Sequence, residues 1–162
     1  MKTILLFCLL ATSVNVFSQS ILSDKMDAAT NMRTITTGSN PLHKSSFSKT
    51  VEVQSELRVQ NDSIASYDLN FTIPDTSANF TASTCSLETE NGTVVTGSSV
   101  AANKFRFSKE DFYKLISSKI TQIKITTADG KEKLIKLKEN MQDILSKQAK
   151  VMLVRLRANN SN

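Results

Sequence analysis

The chain has 162 residues, with 20 Lys and Arg against 15 Asp and Glu, a formal net charge of +5 at pH 7, one His, two Cys, four Gly and no Trp. That length suits one domain with its own core. One His and two Cys fall short of the usual zinc ligand sets, and four scattered glycines cannot build the Gly-rich phosphate loops of nucleotide enzymes, so neither a metal nor another cofactor is expected.

Met1 and Lys2 open a short basic segment, residues 4–11 are an unbroken apolar run, and Val16 and Ser18 are small enough for the −3 and −1 subsites of a signal peptidase. Residues 1–18 therefore read as a cleavable signal peptide, and residues 19–162 as the working chain. A membrane anchor would need roughly 20 apolar residues, and Thr12, Ser13 and Asn15 interrupt this run. Cys8 lies inside the run behind bulky Phe7, which argues against lipid anchoring. Cleavage leaves Cys85 as the one cysteine, so no intramolecular disulfide can form. A bridge-free exported domain suits the bacterial periplasm or secretion better than a eukaryotic ectodomain.

Residues 19–46 are rich in Ser, Thr and Asn and read as a loosely ordered lead-in. Within it residues 32–37 suit an edge strand, ended by the turn-forming Gly38, Ser39, Asn40 and Pro41. Val51, Val53, Leu57 and Val59 alternate with Glu52, Gln54, Glu56 and Arg58, the period of two of a half-buried strand. Tyr67, Leu69, Phe71 and Ile73 repeat the pattern after the polar residues 60–63, which predicts a hairpin. Cys85, Leu87 and Thr89 alternate with Ser86, Glu88 and Glu90, and Asn91-Gly92 then suits a tight two-residue turn into a return strand at 93–96. Residues 97–103 read as a loop and 104–107 as a short strand.

Ser108 can cap a helix whose first turn carries Glu110 and Asp111. Phe112, Leu115 and Ile116 form its apolar stripe. Residues 120–127 and 133–138 read as a hairpin around Asp129-Gly130. From Asn140 the period becomes helical: Met141, Ile144, Leu145, Met152 and Leu156 fall on one side, with Asp143, Lys147, Lys150 and Arg157 opposite. Residues 151–154 would also suit a strand. The expected fold class is α+β: a mostly antiparallel sheet of about seven or eight strands with two helices in the C-terminal third. The domain is expected over residues 47–158, with a tail at 159–162.

Few side chains suggest catalysis. His43 would have to serve any Ser-His-Asp or Cys-His site, but its neighbours make it an exposed loop residue. Glu88 with Glu90, and Glu52 with Glu56, could supply paired carboxylates for a hydrolase. Each pair alternates with apolar residues, as a solvated sheet face does. Cys85 falls on the apolar side of its strand and reads as a buried thiol, with a redox or dimer-forming role as the alternative.

Charge is unevenly divided. Residues 19–103 carry five Lys/Arg and nine Asp/Glu, whereas residues 104–162 carry 14 and six. The excess either coats solvent-facing elements or forms a basic surface for an anionic membrane or polyanion. The contact residues of such a surface would be Lys131, Lys133, Lys136, Lys138, Lys147, Lys150 and Arg157. Nucleic acid is not expected, since the chain is exported and its basic–aromatic interleaving is confined to residues 104–107.

The run Phe107-Ser108-Lys109-Glu110-Asp111-Phe112-Tyr113-Lys114-Leu115, followed by Ile120-Thr121-Gln122-Ile123-Lys124-Ile125 and Asp129-Gly130, resembles the ending of small uncharacterised exported α+β proteins of Bacteroidetes-type bacteria. Phe17-Ser18-Gln19 is similar to the end of their signal peptides. The resemblance implies a short strand, an S-x-E-D helix, a hairpin and a terminal helix, and carries no activity or site with it. The functional expectation is a non-enzymatic binding or structural component of the cell envelope, with an unidentified envelope protein as partner. The alternative is an adapter for anionic surfaces, and a carboxylate-based hydrolase ranks last.

Overall fold

A computed structural model describes residues 20–43, 50–73 and 82–159. The expected signal peptide lies outside the described residues, as do residues 160–162 of the expected tail.

The first hairpin pairs β1 (Ile21–Asp27) with β2 (Met32–Thr37). Its turn is organised by Asp27, whose carboxylate accepts the Ala29 N–H at 2.9 Å and the Thr30 hydroxyl at 2.8 Å. Next, β3 (Asn40–His43) prolongs β2 along the same side of β4 (Val51–Gln60), with Thr36 opposite Glu56 and Asn40 opposite Val53. Pro41 has no N–H to donate, and β3 pairs on one side only, where a proline is tolerated. A second hairpin joins β4 to β5 (Ser63–Thr72) through Asn61 and Asp62, both at positive φ (49° and 59°). That is the backbone of a two-residue turn whose twist matches its strands.

The chain then makes a three-strand meander, β6 (Ala82–Thr89), β7 (Val94–Ala101) and β8 (Lys104–Phe107). From β8, helix α1 (Lys109–Ile116), packed against β5 and α2, leads to β9 (Ile120–Thr127), which lies beside β6. Three hairpin-linked strands and a fourth returning beside the first make a Greek key. Last come β10 (Glu132–Lys136), a 3-10 turn at Glu139–Met141 and helix α2 (Ile144–Asn159). The ten strands of the described residues form one sheet in the order β1-β2-β4-β5-β8-β7-β6-β9-β10, with β3 beside β4 and every pairing antiparallel.

Both helices lie on one face of this sheet. Phe112 of α1 packs its ring 5.1 Å from that of Tyr67. Ile144, Leu145, Ala149, Met152 and Leu156 of α2 are buried with the inward-facing side chains of β4, β5, β6, β8 and β9. Burying one such side chain stabilises the fold by roughly 1.5–3 kcal/mol. Ser146 donates to the Ile116 carbonyl at 2.6 Å, so α2 satisfies a carbonyl that the end of α1 leaves unpaired.

The expected class stands in its coarse form, a mostly antiparallel sheet with two helices, α2 in the C-terminal third. The described residues hold ten strands, not about seven or eight, because the supposed lead-in of residues 19–46 contains β1 and β3 beside the expected strand at 32–37. The folded unit thus begins well before residue 47, and β2 sits between β1 and β4, not at the edge. Residues 97–101, expected in a loop, belong to β7. Gly97 stands there because the Phe107 ring lies across it: a Cβ would come within 2.7 Å of Phe107 Cζ. Residues 151–154 are helical.

The Asn91-Gly92 turn is also longer than expected. Thr89 bonds Thr93 across a loop in which only Gly92 has positive φ (79°), the geometry of a type I turn followed by a glycine bulge. Residues 127–131 repeat it with Gly130 at 81°.

Candidate functional site

Alternation along β4, β5 and β8 sends Glu56, Arg58, Asp68, Lys104 and Arg106 to the face away from the helices. Cross-strand register then brings them together, with Glu56 opposite Asp68 and Asp68 opposite Arg106. Arg106 grips the Asp68 carboxylate with both Nε (2.9 Å) and Nη2 (3.0 Å). Glu56 accepts Arg58 Nε at 2.8 Å and Lys104 Nζ at 2.9 Å. Both cations also stand 3.7 Å from Asp68, whose side chain is 0% exposed beneath them. Burial pushes the Glu56 carboxyl up, but the Lys104 and Arg58 contacts outweigh it and hold the group below its ordinary range. Both acids are held by cations, which suits a rigid polar surface.

A second polar cluster lies on the helix-facing side. The Ser55 hydroxyl donates to Gln148 Oε1 of α2 at 2.6 Å and contacts the Tyr67 hydroxyl at 2.8 Å. Since the Ser55 proton is used on Gln148, Tyr67 is the donor in the second bond. Ser55, Tyr67 and Gln148 are all fully buried, and desolvation drives the Tyr67 phenol far above its ordinary value. The cluster ties α2 to β4 and β5.

The third cluster is at the β1 edge. Arg33 of β2 binds Asp24 with Nε and Nη2, both at 2.9 Å, and Arg155 of α2 binds it with Nε at 2.7 Å. The Arg33 bond holds the Asp24 carboxyl below its ordinary range against partial burial, with Arg155 adding to the effect. Leu22 and Met26 flank this group in sequence and are 66% and 60% exposed.

The expected cationic residues do not share one face. Lys136 is exposed on the outer face of β10, opposite Gln122, and Lys138 follows β10. Lys131 lies in the β9–β10 loop, paired with Asp129 at 2.8 Å, and Lys133 is half-buried opposite Ile125. Lys147, paired with Asp143 at 2.5 Å, stands with Lys150 and Arg157 on the exposed side of α2, beyond the opposite face of the sheet.

The acidic pairs are equally committed or apart. Glu52 accepts the Ser39 hydroxyl at 2.8 Å, Glu88 accepts Gln122 Nε2 at 3.2 Å, and Glu90 is in the exposed turn. His43 ends β3 instead of lying in a loop, and its side chain is outside the described residues. Cys85 is free and buried, its thiol pushed far up by desolvation. Among the described residues no three His, Cys, Asp or Glu side chains cluster to hold a metal ion. No helix among them is long and apolar enough to cross a membrane.

The β1 edge was missed by sequence reasoning, because Asp24 and Arg155 are 131 residues apart. The one local signal was the spacing of Leu22 and Met26 about Asp24. No family model, no curated protein and no solved structure matches this chain.

Proposed function

We propose that this protein is an exported, non-enzymatic binding component of the cell envelope, and that it meets a protein partner through the edge of its sheet at β1. The observation that carries the proposal is the contrast between the two outermost strands of the sheet order, β1 and β10. Edge strands are normally blunted by charge, because their free N–H and C=O groups template pairing with other chains. At β10 this protection is present: Lys133 and Lys136 lie within five residues, with Lys131 and Lys138 just outside. Strand β1 carries Asp24, Lys25 and Asp27 but only one lysine, and it leaves two large apolar side chains exposed, Leu22 and Met26, against one, Leu134, on β10. The non-enzymatic part of the proposal is supported by the acids of the sheet face, which are spent on Arg58, Lys104 and Arg106.

The test is affinity capture from the envelope fraction of the source cells with a salt series on what is retained. A partner that survives salt and is lost from the Met26→Lys variant supports the proposal. Retention that collapses with salt, is unaffected by Met26→Lys, and disappears with Lys147→Glu and Lys150→Glu would replace it with the anionic-surface alternative, since exposed charges are screened.

A further inference from the structure

From the chemistry of β1 we infer that the partner which fits this edge is a second copy of the same chain, joined β1 to β1 in antiparallel fashion about a two-fold axis through Asp24. The inference rests on the edge-binding proposal and names its occupant.

A two-fold axis perpendicular to the sheet pairs the strands antiparallel and keeps inner faces with inner faces. Side chains alternate between faces, so the paired residue numbers must then sum to an even value. Centring on Ser23 would set Leu22 against Asp24 of the other copy. Centring on Lys25 would place two lysines opposite each other and Met26 against Asp24. Centring on Asp24 is different. Ser23 then meets Lys25 of the other copy, and Leu22, at the register shift just beyond the regular ladder, falls beside Met26 on both sides of the axis. Residues 22–26 read apolar, polar, acidic, polar, apolar in either direction, which is the self-complementarity an isologous contact requires.

The two Asp24 carboxylates would face each other at the axis, which alone would be repulsive. Each is accompanied by two guanidiniums, so the inner edge carries one acid and two cations per copy. Arg155 is 47% exposed and uses Nε on its own Asp24. A guanidinium has five N–H donors, and its remaining fork is available to the carboxylate across the axis. The regular ladder of β1 with β2 runs from Ser23 to Asp27, with a register shift between Ile21 and Ser23. The shared ladder is therefore short, and the dimer is a weak one of the kind formed by strand addition.

Sedimentation equilibrium of the full chain purified after export tests this over micromolar to millimolar concentration. The expected result is a reversible monomer–dimer equilibrium that Leu22→Lys and Met26→Lys each weaken by about tenfold or more. Thermal melting of both variants controls for folding, which exposed positions should leave unchanged. Register is tested by oxidation of a Ser23→Cys/Lys25→Cys variant. Directly opposed strand residues lie about 4.5–5.5 Å apart at Cα, within disulfide reach, so this variant should form a covalent dimer and each single-Cys variant should not. A chain that stays monomeric throughout overturns the inference. So does a dimer indifferent to both lysine substitutions and to the cysteine pair. If the monomeric chain still captures another protein through Met26, the edge proposal stands and its self-pairing form falls.

Discussion

At the scale of single residues, Gly97 shows how a side chain elsewhere can dictate a strand position. Its small neighbours Ser98 and Ser99 make the segment look like a loop, and alternation is weak there. What makes it a strand is Phe107, whose ring fills the space that a side chain at 97 would take. Replacing a strand glycine by alanine ordinarily stabilises by about 0.5–1 kcal/mol through chain entropy. Here the new Cβ would sit 2.7 Å from Phe107 Cζ and 2.9 Å from the Arg106 carbonyl oxygen. The ring can shift, but the backbone oxygen is fixed by its sheet. Gly97→Ala is therefore expected to destabilise by about 1–3 kcal/mol, the range for overpacking. A lowered urea midpoint at unchanged slope would report it, and a midpoint that rises would show that Phe107 does not need the gap.

At the scale of elements, legibility followed how much of a strand is buried. Strand β4 and most of β5 were readable because their apolar residues fall on alternate positions and face a helix layer. Strand β1 was not, because an edge strand outside the main core needs few apolar residues and shows little alternation. Strand β3 was hidden by Pro41, which argues against an interior strand and is tolerated where one side is free. Helix α2 was legible in its apolar stripe, yet the stripe does not account for how the helix is fixed. Gln148 and Ser146 are buried on it and bond Ser55 and the Ile116 carbonyl. Such polar anchors resist sliding or rotation of the helix more than apolar contacts do. Ser55→Ala would leave the Tyr67 hydroxyl and the Gln148 carbonyl without a shared partner in a dry site, at about 1–3 kcal/mol for a stranded group. Adding Tyr67→Phe should then cost less than it does in the unaltered chain, because the hydroxyl it removes is already unpaired. A double-mutant cycle measured by denaturant unfolding checks this. Additive losses would mean that the three groups do not act together.

At the scale of the whole molecule, the polar face has its explanation in strand order. Acidic and basic residues far apart in sequence become neighbours because β8 returns beside β5, setting Lys104 and Arg106 over Glu56 and Asp68. The same folding joins β1 to α2, since Asp24 is held by Arg155. It follows that β1–β3 are not an appendage to a domain beginning near residue 47. Removing residues 20–46 would strip β2 and β3 from one side of β4 and free a ten-residue strand whose inner positions include Val51, Val53, Leu57 and Val59. A long apolar edge of that kind pairs with other chains. It would also expose the part of the core that Ile35 and Leu42 now fill, and remove the Asp24 contact that steadies α2. The shortened chain is expected to be insoluble, or to elute as large aggregates without a cooperative unfolding transition. Expression with and without residues 20–46, followed by size exclusion and thermal melting, decides it. A monomeric, cooperatively melting product would mean that β4 closes the sheet unaided, and that the first three strands serve only the binding edge.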